Sequence, residues 1–288
     1  MGKQELLELR KKSLVAPADL MNMLRSDSPP SILAVQSVCP YTGRNSRCGQ
    51  WLPGAVDAEA YSDFAAKATA DSGDRPLPNI DNLQKAARSW GLSRDRTVVL
   101  YDRDRSLTAA RGWWVLKWAG LPDVRVLDGG LAGWMAEGFP LSRESTGASC
   151  SSIELAPGNM PEFGAEQAHI FVGDGVLLDS RIRPNYIGGA RTGGDPKRGH
   201  IPGAVSAPAL DNVTDYGYFA DSETLEEMYR GYGIDGKRPV GVYCGAGMSA
   251  AHTVLALTAI GIDAAMYPGS WSQWVTNPKR PVRRGAKP

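Results

Sequence analysis

The sequence has no excess of charge of either sign, no long apolar run and few cysteines. Its 288 residues include 32 Lys and Arg against 31 Asp and Glu, so the net charge is +1 and no overall field attracts nucleic acid or an anionic membrane. The best apolar stretch, 254–262, is about half of the ~18 residues that a bilayer span requires, and Thr258 interrupts it. Residues 1–12 mix acids with bases and lack the apolar centre of a secretory signal. We therefore expect a cytoplasmic protein with neither nucleic acid nor membrane as a partner.

Cysteine is scarce, and this limits the possible classes of site. Cys39, Cys48, Cys150 and Cys244 are too irregularly spaced for a disulfide scaffold in a chain of this length. Cys39 and Cys48 have no third or fourth ligand near them in sequence, so zinc is not expected. Only Cys244 has surroundings that would activate a thiol. We expect neither a metal nor another cofactor.

The chain contains one module twice. Leu52-Pro-Gly-Ala-Val56 matches Ile201-Pro-Gly-Ala-Val205, and the apolar runs that end at Tyr101 and Tyr243 each lead through a turn into a helical run. Residues 128–134 then match 268–274 in the same order. Three matching blocks in one order are unlikely to arise by chance, so the sequence predicts two related domains.

Each module alternates apolar runs with helical stretches, which is typical of βα units. The runs 97–100, 176–178 and 239–242 read as strands covered on both faces, and 79–90 and 222–232 read as helices that end at glycines. The predicted fold class is therefore α/β, with two tandem domains, each a mainly parallel sheet flanked by helices. The predicted domains are 1–145 and 166–288. Residues 146–165, rich in Ser, Gly, Pro and Glu, are the predicted linker.

Cys244 stands where a predicted strand ends and a helix begins, which is where open α/β sheets bind ligands. A helix is predicted from about Ser249, with Ser249 as its N-cap. Backbone N–H groups of the turn and the positive end of the helix dipole would surround the sulfur and stabilise a thiolate. The donors predicted to form this cradle are those of Gly245, Ala246, Gly247, Met248 and Ser249. The simpler alternative is that Cys244 is a small buried apolar residue at a strand end.

Two other thiol chemistries fit the loop poorly. A phosphatase of the Cys-x5-Arg type needs an arginine to bind phosphate, but the sixth residue after Cys244 is Ala250 and the loop holds no Arg or Lys. A thioredoxin-like Cys-x-x-Cys pair is absent. If Cys244 is reactive, its chemistry uses neither a second cysteine nor an arginine of its loop.

Four ordered motifs carry a resemblance to a known family: Leu178-Asp-Ser-Arg181, Gly199-His-Ile-Pro-Gly-Ala204, Tyr243-Cys-Gly-Ala-Gly-Met-Ser-Ala250 and Tyr267-Pro-Gly-Ser-Trp-Ser-Gln-Trp274. Together they resemble the two-domain rhodanese family of thiosulfate and 3-mercaptopyruvate sulfurtransferases. The resemblance implies that Cys244 becomes a persulfide after taking sulfur from a small-molecule donor. The acceptor would be a thiol, cyanide or a protein. The loop Cys-Gly-Ala-Gly is similar to the mercaptopyruvate type.

The resemblance also implies roles for residues around the cysteine. Arg181 would face the same crevice and bind the carboxylate or sulfonate of the donor. Asp179 is expected to hydrogen-bond loop N–H groups or Arg181 rather than to act as a base. His200 is expected to orient a turn. His252, on the helix after the loop, is expected to be a packing or surface residue.

Several positions depart from the family pattern. The first module has Asp102 where the second has Cys244, so it is predicted to be a rhodanese-like domain without a catalytic cysteine. Its Ala34, Gln36 and Trp51 replace an Asp, an Arg or Ser, and a His of the family. In the second module Asn185 replaces a substrate-binding Arg, for which Arg183 or Arg191 are candidate substitutes. These changes lead to the hypothesis of a specialised sulfurtransferase. The alternative is a catalytically weak rhodanese-like module that serves as a binding partner or scaffold.

Overall fold

A computed structural model describes residues 2–37, 49–189 and 198–288. Cys39, Cys48 and Arg191, named above, lie outside these ranges. The chain forms two compact units: unit 1 consists of Met1–Ala66, Leu77–Met160 and Val213–Phe219, and unit 2 of Lys67–Pro76, Pro161–Asn212 and Ala220–Pro288. Within the described ranges, no helix is long and apolar enough to cross a membrane.

Unit 1 is built on a parallel sheet of five strands in the order β1-β5-β4-β2-β3. The strands are β1 Leu14–Val15, β2 Ser31–Gln36, β3 Ala55–Glu59, β4 Val98–Tyr101 and β5 Val124–Leu127. The helices are α1 Lys3–Lys11, α2 Pro17–Leu24, α3 Ile80–Ser89, α4 Leu107–Trp118 and α5 Gly130–Ala136. The side chain of Asn79 begins α3 by accepting from the N–H groups of Asp81 and Asn82, as the polar start in the sequence predicted.

Unit 2 repeats this plan with four parallel strands in the order β7-β6-β8-β9. The strands are β6 Val176–Asp179, β7 Val205–Ser206, β8 Val240–Tyr243 and β9 Ala264–Met266. The helices are α6 Ala168–Gly173, α7 Arg183–Ile187, α8 Ser222–Gly231, α9 Met248–Ala259 and α10 Ser270–Trp274, with 3-10 turns at Ala165–Gln167 and Ala209–Asn212. The predicted α/β class with parallel sheets is confirmed.

Equivalent hydrogen bonds occur inside each of the two units. The Tyr101 hydroxyl accepts from the N–H of Leu52 at 3.1 Å, and the Tyr243 hydroxyl accepts from the N–H of Ile201 at the same distance. The Trp134 indole donates to the Pro140 carbonyl at 2.9 Å, and the Trp274 indole donates to the Pro281 carbonyl at the same distance. The two tryptophans therefore occupy corresponding positions. The internal repeat read from the sequence is therefore a repeat of structure.

Helices α4 and α9 are twelve residues each and are buried on almost every side. A helix that is apolar around its whole circumference belongs in the interior. Each follows the strand that ends in a repeat tyrosine, β4 and β8 respectively. The N-terminus of each helix therefore lies at the carboxyl end of a central strand, where the loop of interest is found.

The predicted linker is not a free segment. The N–H of Ser151 donates to the Arg88 carbonyl at 3.0 Å, and the N–H of Ala156 donates to the Ala119 carbonyl at 3.1 Å. Gly91, with φ +68°, lies so close to this segment that an added Cβ would be 2.8 Å from the Ser149 carbonyl oxygen. These hydrogen bonds hold residues 146–160 along unit 1.

Each unit also includes a short segment from the opposite half of the chain. In unit 2, the N–H of Asp74 donates to Ser272 Oγ at 3.0 Å, and the Gln273 amide donates to the Asp71 carbonyl at 2.9 Å. In unit 1, the N–H of Phe219 donates to the carboxylate of Asp128 at 2.8 Å. The boundaries read from the sequence do not contain these exchanges.

Candidate active site

Cys244 follows β8 directly, and α9 begins at Met248, so the loop is only Cys244–Gly247. Cys244 is 2% exposed, whereas Gly245 and Ala246 are half-buried. The predicted N-cap Ser249 is wrong, because Gly247 occupies that position with φ +76° and Ser249 lies in the first helical turn. Glycine adopts this left-handed conformation without steric cost, so the chain enters the helix earlier than the serine suggested.

The start of α10 holds the loop from one side. The Cys244 carbonyl accepts from the N–H of Trp271 at 2.9 Å, and the Gly245 carbonyl accepts from the N–H of Ser272 at 2.9 Å. The N–H of Cys244 donates to Ser270 Oγ at 3.1 Å. Three hydrogen bonds therefore fix the backbone at Cys244 and Gly245.

Asp179 and Arg181 form a buried ion pair close to this loop. Asp179 is fully buried and Arg181 is 8% exposed. Arg181 donates from Nε to the Asp179 carboxylate at 2.9 Å and from Nη2 to the Gly199 carbonyl at 2.6 Å. Its Cζ lies 4.5 Å from the ring centroid of Trp271, a cation–π arrangement. The expected contact between Asp179 and Arg181 is present.

Arg181 interacts electrostatically with the groups around it. Burial alone would lower the pKa of Arg181, but the charge and hydrogen bonds of Asp179, together with Tyr243 and Cys244, outweigh burial, so the pKa is raised. Arg181 was expected to reach into the crevice toward the donor. In the structure its guanidinium is held by Asp179 and Gly199, and it provides a fixed positive charge near Cys244. Its contact with a donor stays a prediction.

Tyr243 and His200 brace the site. Burial and the neighbouring Asp179 carboxylate raise the pKa of Tyr243 well above its usual value, so the hydroxyl is neutral and accepts from Ile201. His200 is fully buried, its Nδ1 lies 2.9 Å from the Tyr186 carbonyl, and its ring stacks on the Tyr186 ring at 3.7 Å. The orientation of a turn by His200 stays a prediction. His252 is also fully buried.

The equivalent loop of unit 1 surrounds a carboxylate of its own with hydrogen-bond donors. The Leu131 N–H donates to the Asp102 carbonyl at 3.0 Å, as Trp271 does to Cys244, so Asp102 and Cys244 correspond. The Asp102 carboxylate is 3% exposed and accepts five hydrogen bonds. The donors are the N–H groups of Asp104, Ser106, Thr108 and Ala109 and the Thr108 hydroxyl. The loop of unit 1, one residue longer, is therefore an anion cradle filled by its own carboxylate.

The positions that depart from the family pattern form their own cluster in unit 1. Ala34 pairs with Tyr101 in the sheet as Asp179 pairs with Tyr243, which places the two positions in register. The Gln36 amide and the Trp51 indole both donate to Asp57 Oδ1, at 2.9 and 2.8 Å. Uncharged Gln36 and Trp51, both bonded to the Asp57 carboxylate, therefore stand where unit 2 has Arg181 and His200.

The second module departs from the family pattern in α7. Asn185 is half-buried in α7, and Arg183, one of its two candidate substitutes, is exposed at the first residue of that helix. Sequence reasoning missed Ser270, which lay within a recognised motif. The features that single out Ser270 are its positive φ and its contact with Cys244, twenty-six residues earlier in the chain. No local sequence pattern encodes either of them.

Comparison with known proteins agrees with this geometry. The model of the rhodanese-like domain matches residues 46–137 and 165–277. "Putative thiosulfate sulfurtransferase SseB" of Mycobacterium tuberculosis is 36% identical over 285 residues, covering 97% of this chain and 99% of the relative. The 3-mercaptopyruvate sulfurtransferase of Escherichia coli K12 is 31% identical and covers 80% of this chain and 82% of its own.

Solved structures give the same fold. "Crystal structure of YnjE" superposes with a TM-score of 0.80 at 24% identity, covering 95% of this chain and 68% of the other. An anaerobic ergothioneine biosynthesis enzyme from Chlorobium limicola superposes with a TM-score of 0.81 at 22% identity, covering 97% of this chain and 71% of the other. The chain therefore belongs to the rhodanese family, as a sulfurtransferase with two rhodanese-like domains.

Proposed function

We propose that Cys244 is the nucleophile of this sulfurtransferase and carries the transferred sulfur as a persulfide. The catalytic domain is 166–288, and 1–145 is the domain without a catalytic cysteine. The donor is a small molecule of the thiosulfate or 3-mercaptopyruvate type, and the acceptor is a thiol, cyanide or a protein. Cytoplasmic placement is part of the proposal, since the exposed free thiol of Cys150 and a reactive Cys244 both suit a reducing compartment.

The chemistry has two steps. The Cys244 thiolate attacks the outer sulfur of thiosulfate, the S–S bond of the donor breaks, and sulfite leaves with the electron pair. With 3-mercaptopyruvate the C–S bond breaks instead, and the thiol proton ends on the methyl carbon of pyruvate. In the second step, cyanide attacks the terminal sulfur of the persulfide, thiocyanate leaves, and Cys244 returns to the thiolate.

The observation that carries the proposal is the hydrogen-bonded carboxylate of Asp102. It indicates that a loop joining this strand to this helix holds an anion with backbone N–H groups. Hydrogen bonds to a charged group contribute ~1.5–3 kcal/mol each, so a few such donors suffice to favour a sulfur anion. In unit 2 the donors we propose from the sequence are the N–H groups of Gly245, Ala246, Gly247, Met248 and Ser249, which would stabilise the terminal sulfur much as an oxyanion hole stabilises oxygen.

The ion pair is proposed to complete the site. Arg181 gives a positive charge that Asp179 holds in place, and it favours negatively charged donors near Cys244. The replacement of a family arginine by Asn185 leaves exposed Arg183 as the nearest cation of α7. Together with the Gln36–Asp57–Trp51 cluster, this supports a sulfurtransferase whose donor or acceptor differs from the common pair.

Mass spectrometry tests the proposal directly. The protein is incubated with thiosulfate or 3-mercaptopyruvate, digested, and each cysteine peptide is examined for one added sulfur. We expect the adduct on Cys244 and its disappearance with cyanide. Cys244→Ser should abolish transfer, whereas Cys150→Ser, which removes an exposed thiol, is the matched control and should leave it intact.

An adduct on another cysteine, or on none with either donor, would contradict the proposal, and in the second case a binding or scaffold role would replace it. Steady-state rates with both donors test specialisation. Turnover of 3-mercaptopyruvate equal to that of a typical family member would argue against a specialised donor.

A further inference from the structure

Ser270 is a buried hydroxyl beside the nucleophile. It opens α10, is fully buried, and accepts from the N–H of Cys244 at 3.1 Å. It donates to the Tyr267 carbonyl at 2.8 Å and lies 3.9 Å from Cys244 Sγ. The hydroxyl has one proton and two acceptors within reach. The proton can therefore turn from the carbonyl to the sulfur when the sulfur becomes negatively charged.

The backbone at Ser270 is unfavourable for any residue with a side chain. Its φ is +53°, and among the described residues only Arg105 and Ser106 share a positive φ without being glycine. An L residue in this region is strained, and such strain persists where the surroundings impose it, often at functional sites. A glycine would fit the same conformation without strain.

The repeat in unit 1 has that glycine. Because the N–H of Leu131 bonds the Asp102 carbonyl as that of Trp271 bonds the Cys244 carbonyl, Gly130 corresponds to Ser270. Gly130 has the same φ of +53°, and an added Cβ would lie 2.7 Å from the Asp102 carbonyl oxygen. The two repeats share a backbone conformation, but a hydroxyl is present only in the repeat whose loop carries a thiol.

We infer that Ser270 is a positioning residue for sulfur transfer, which donates its proton to Cys244 Sγ whenever that sulfur is a thiolate. The inference rests on the proposed persulfide chemistry of Cys244. The thiolate exists as the attacking group in the first step and as the leaving group in the second, and Ser270 stabilises both. In the persulfide the inner sulfur is neutral, and the proton returns to the Tyr267 carbonyl.

Charged and titratable groups other than Ser270 also lie near the sulfur. Arg181 is positive and Asp179 is its counter-ion, while Tyr243 stays neutral because burial raises its pKa. None of them bonds the Ser270 hydroxyl directly in the structure. Removing that hydroxyl takes away its proton near Sγ and also the acceptor of the Cys244 N–H, so stability is measured beside reactivity.

Two variants separate the hydroxyl from the fold. Ser270→Ala removes the hydroxyl and keeps the strain, and Ser270→Gly removes both, as in unit 1. Thr276→Val is the control, because its hydroxyl bonds the Gln273 carbonyl just after α10, away from the sulfur. For each protein, alkylation of Cys244 is followed by peptide mass spectrometry across pH, together with the melting temperature and the cyanide-dependent release of sulfur.

We expect both Ser270 variants to shift the alkylation profile upward by about one pH unit, with a drop of about tenfold at pH 7 and an undiminished plateau at high pH. Release to cyanide should slow by a similar factor. Ser270→Gly should melt above Ser270→Ala yet react equally slowly. If reactivity instead recovers with stability in Ser270→Gly, or matches wild type in both variants, the inference fails. If wild type itself forms no Cys244 persulfide, the proposed function fails first.

Discussion

Replacing Asp102 by Asn tests the anion cradle in the unit where it is already occupied. The change preserves size but converts one carboxylate oxygen into an NH2 group, which cannot accept a hydrogen bond. Oδ1 accepts two N–H groups, and Oδ2 accepts two N–H groups and a hydroxyl, so either orientation of the amide leaves at least two donors without an acceptor, and at least one of them is buried. Each unpaired buried donor costs ~1–3 kcal/mol. We expect the free energy of unfolding of unit 1 to fall by ~1–6 kcal/mol.

Urea unfolding followed by tryptophan fluorescence measures this loss, because six of the eight tryptophans belong to unit 1. Hydrogen exchange of peptides spanning 104–109 should accelerate in parallel. Asp123→Asn is the matched control, since its carboxylate is 37% exposed in its pair with Arg125, and it should cost less than about 1 kcal/mol. A loss below about 1 kcal/mol for Asp102→Asn would refute the cradle and remove the main support for the corresponding loop at Cys244.

Two further changes test the ion pair and a helix cap in unit 2. Asp179→Asn leaves the buried guanidinium of Arg181 without its counter-charge, and we expect a loss of ~3–5 kcal/mol in urea unfolding together with slower persulfide formation. Asp221→Ala removes the cap of α8 and should cost ~1 kcal/mol at pH 7. The N–H and hydroxyl of Thr224 hold the pKa of Asp221 below its usual value, so this advantage of wild type should shrink as the pH falls below about 4.

Each of these changes has a matched variant. Asp235→Asn breaks an exposed pair with Arg238 and should have little effect on stability, so equal losses in Asp179→Asn and Asp235→Asn would show that burial of the pair is irrelevant. Asp221→Ser keeps a capping oxygen without a charge. It should preserve stability at pH 7 and show no dependence on pH from this site, and a dependence like that of wild type would contradict the role of the carboxylate.

Much of the fold follows from local patterns in the sequence. The run 97–100 became β4 with a shift of one residue, and the polar start at Asn79 became the cap of α3. The repeated Leu-Pro-Gly-Ala and Ile-Pro-Gly-Ala blocks were part of the predicted repeat, and the first residue of each block bonds the tyrosine at the end of its central strand. These features depend on neighbouring residues, so one sequence suffices to read them.

The errors arise where distant residues decide the outcome. Ser249 is a good capping residue, but Gly247, in the left-handed conformation, is the N-cap of α9. The loop backbone before it is held by hydrogen bonds from α10, which is close in space but distant in sequence. The contact between Asp179 and Arg181 was expected from the sequence, but the further bond from Arg181 to the Gly199 carbonyl, eighteen residues away, was not. Sequence placed Cys244 and Asp179 correctly at strand ends, while the position of Ser270 at the sulfur required the tertiary structure.

The exchanged segments affect how the protein can be divided. A gene fragment that starts at residue 161 would encode the nucleophile but would lack the stretch around Gly73, whose backbone packs against the residues that open α10. The complementary fragment would lose the turn that carries Phe219 and its bond to Asp128. Neither product would have all of its own parts, so a transplanted domain should keep residues 67–76 with the second half of the chain and 213–219 with the first.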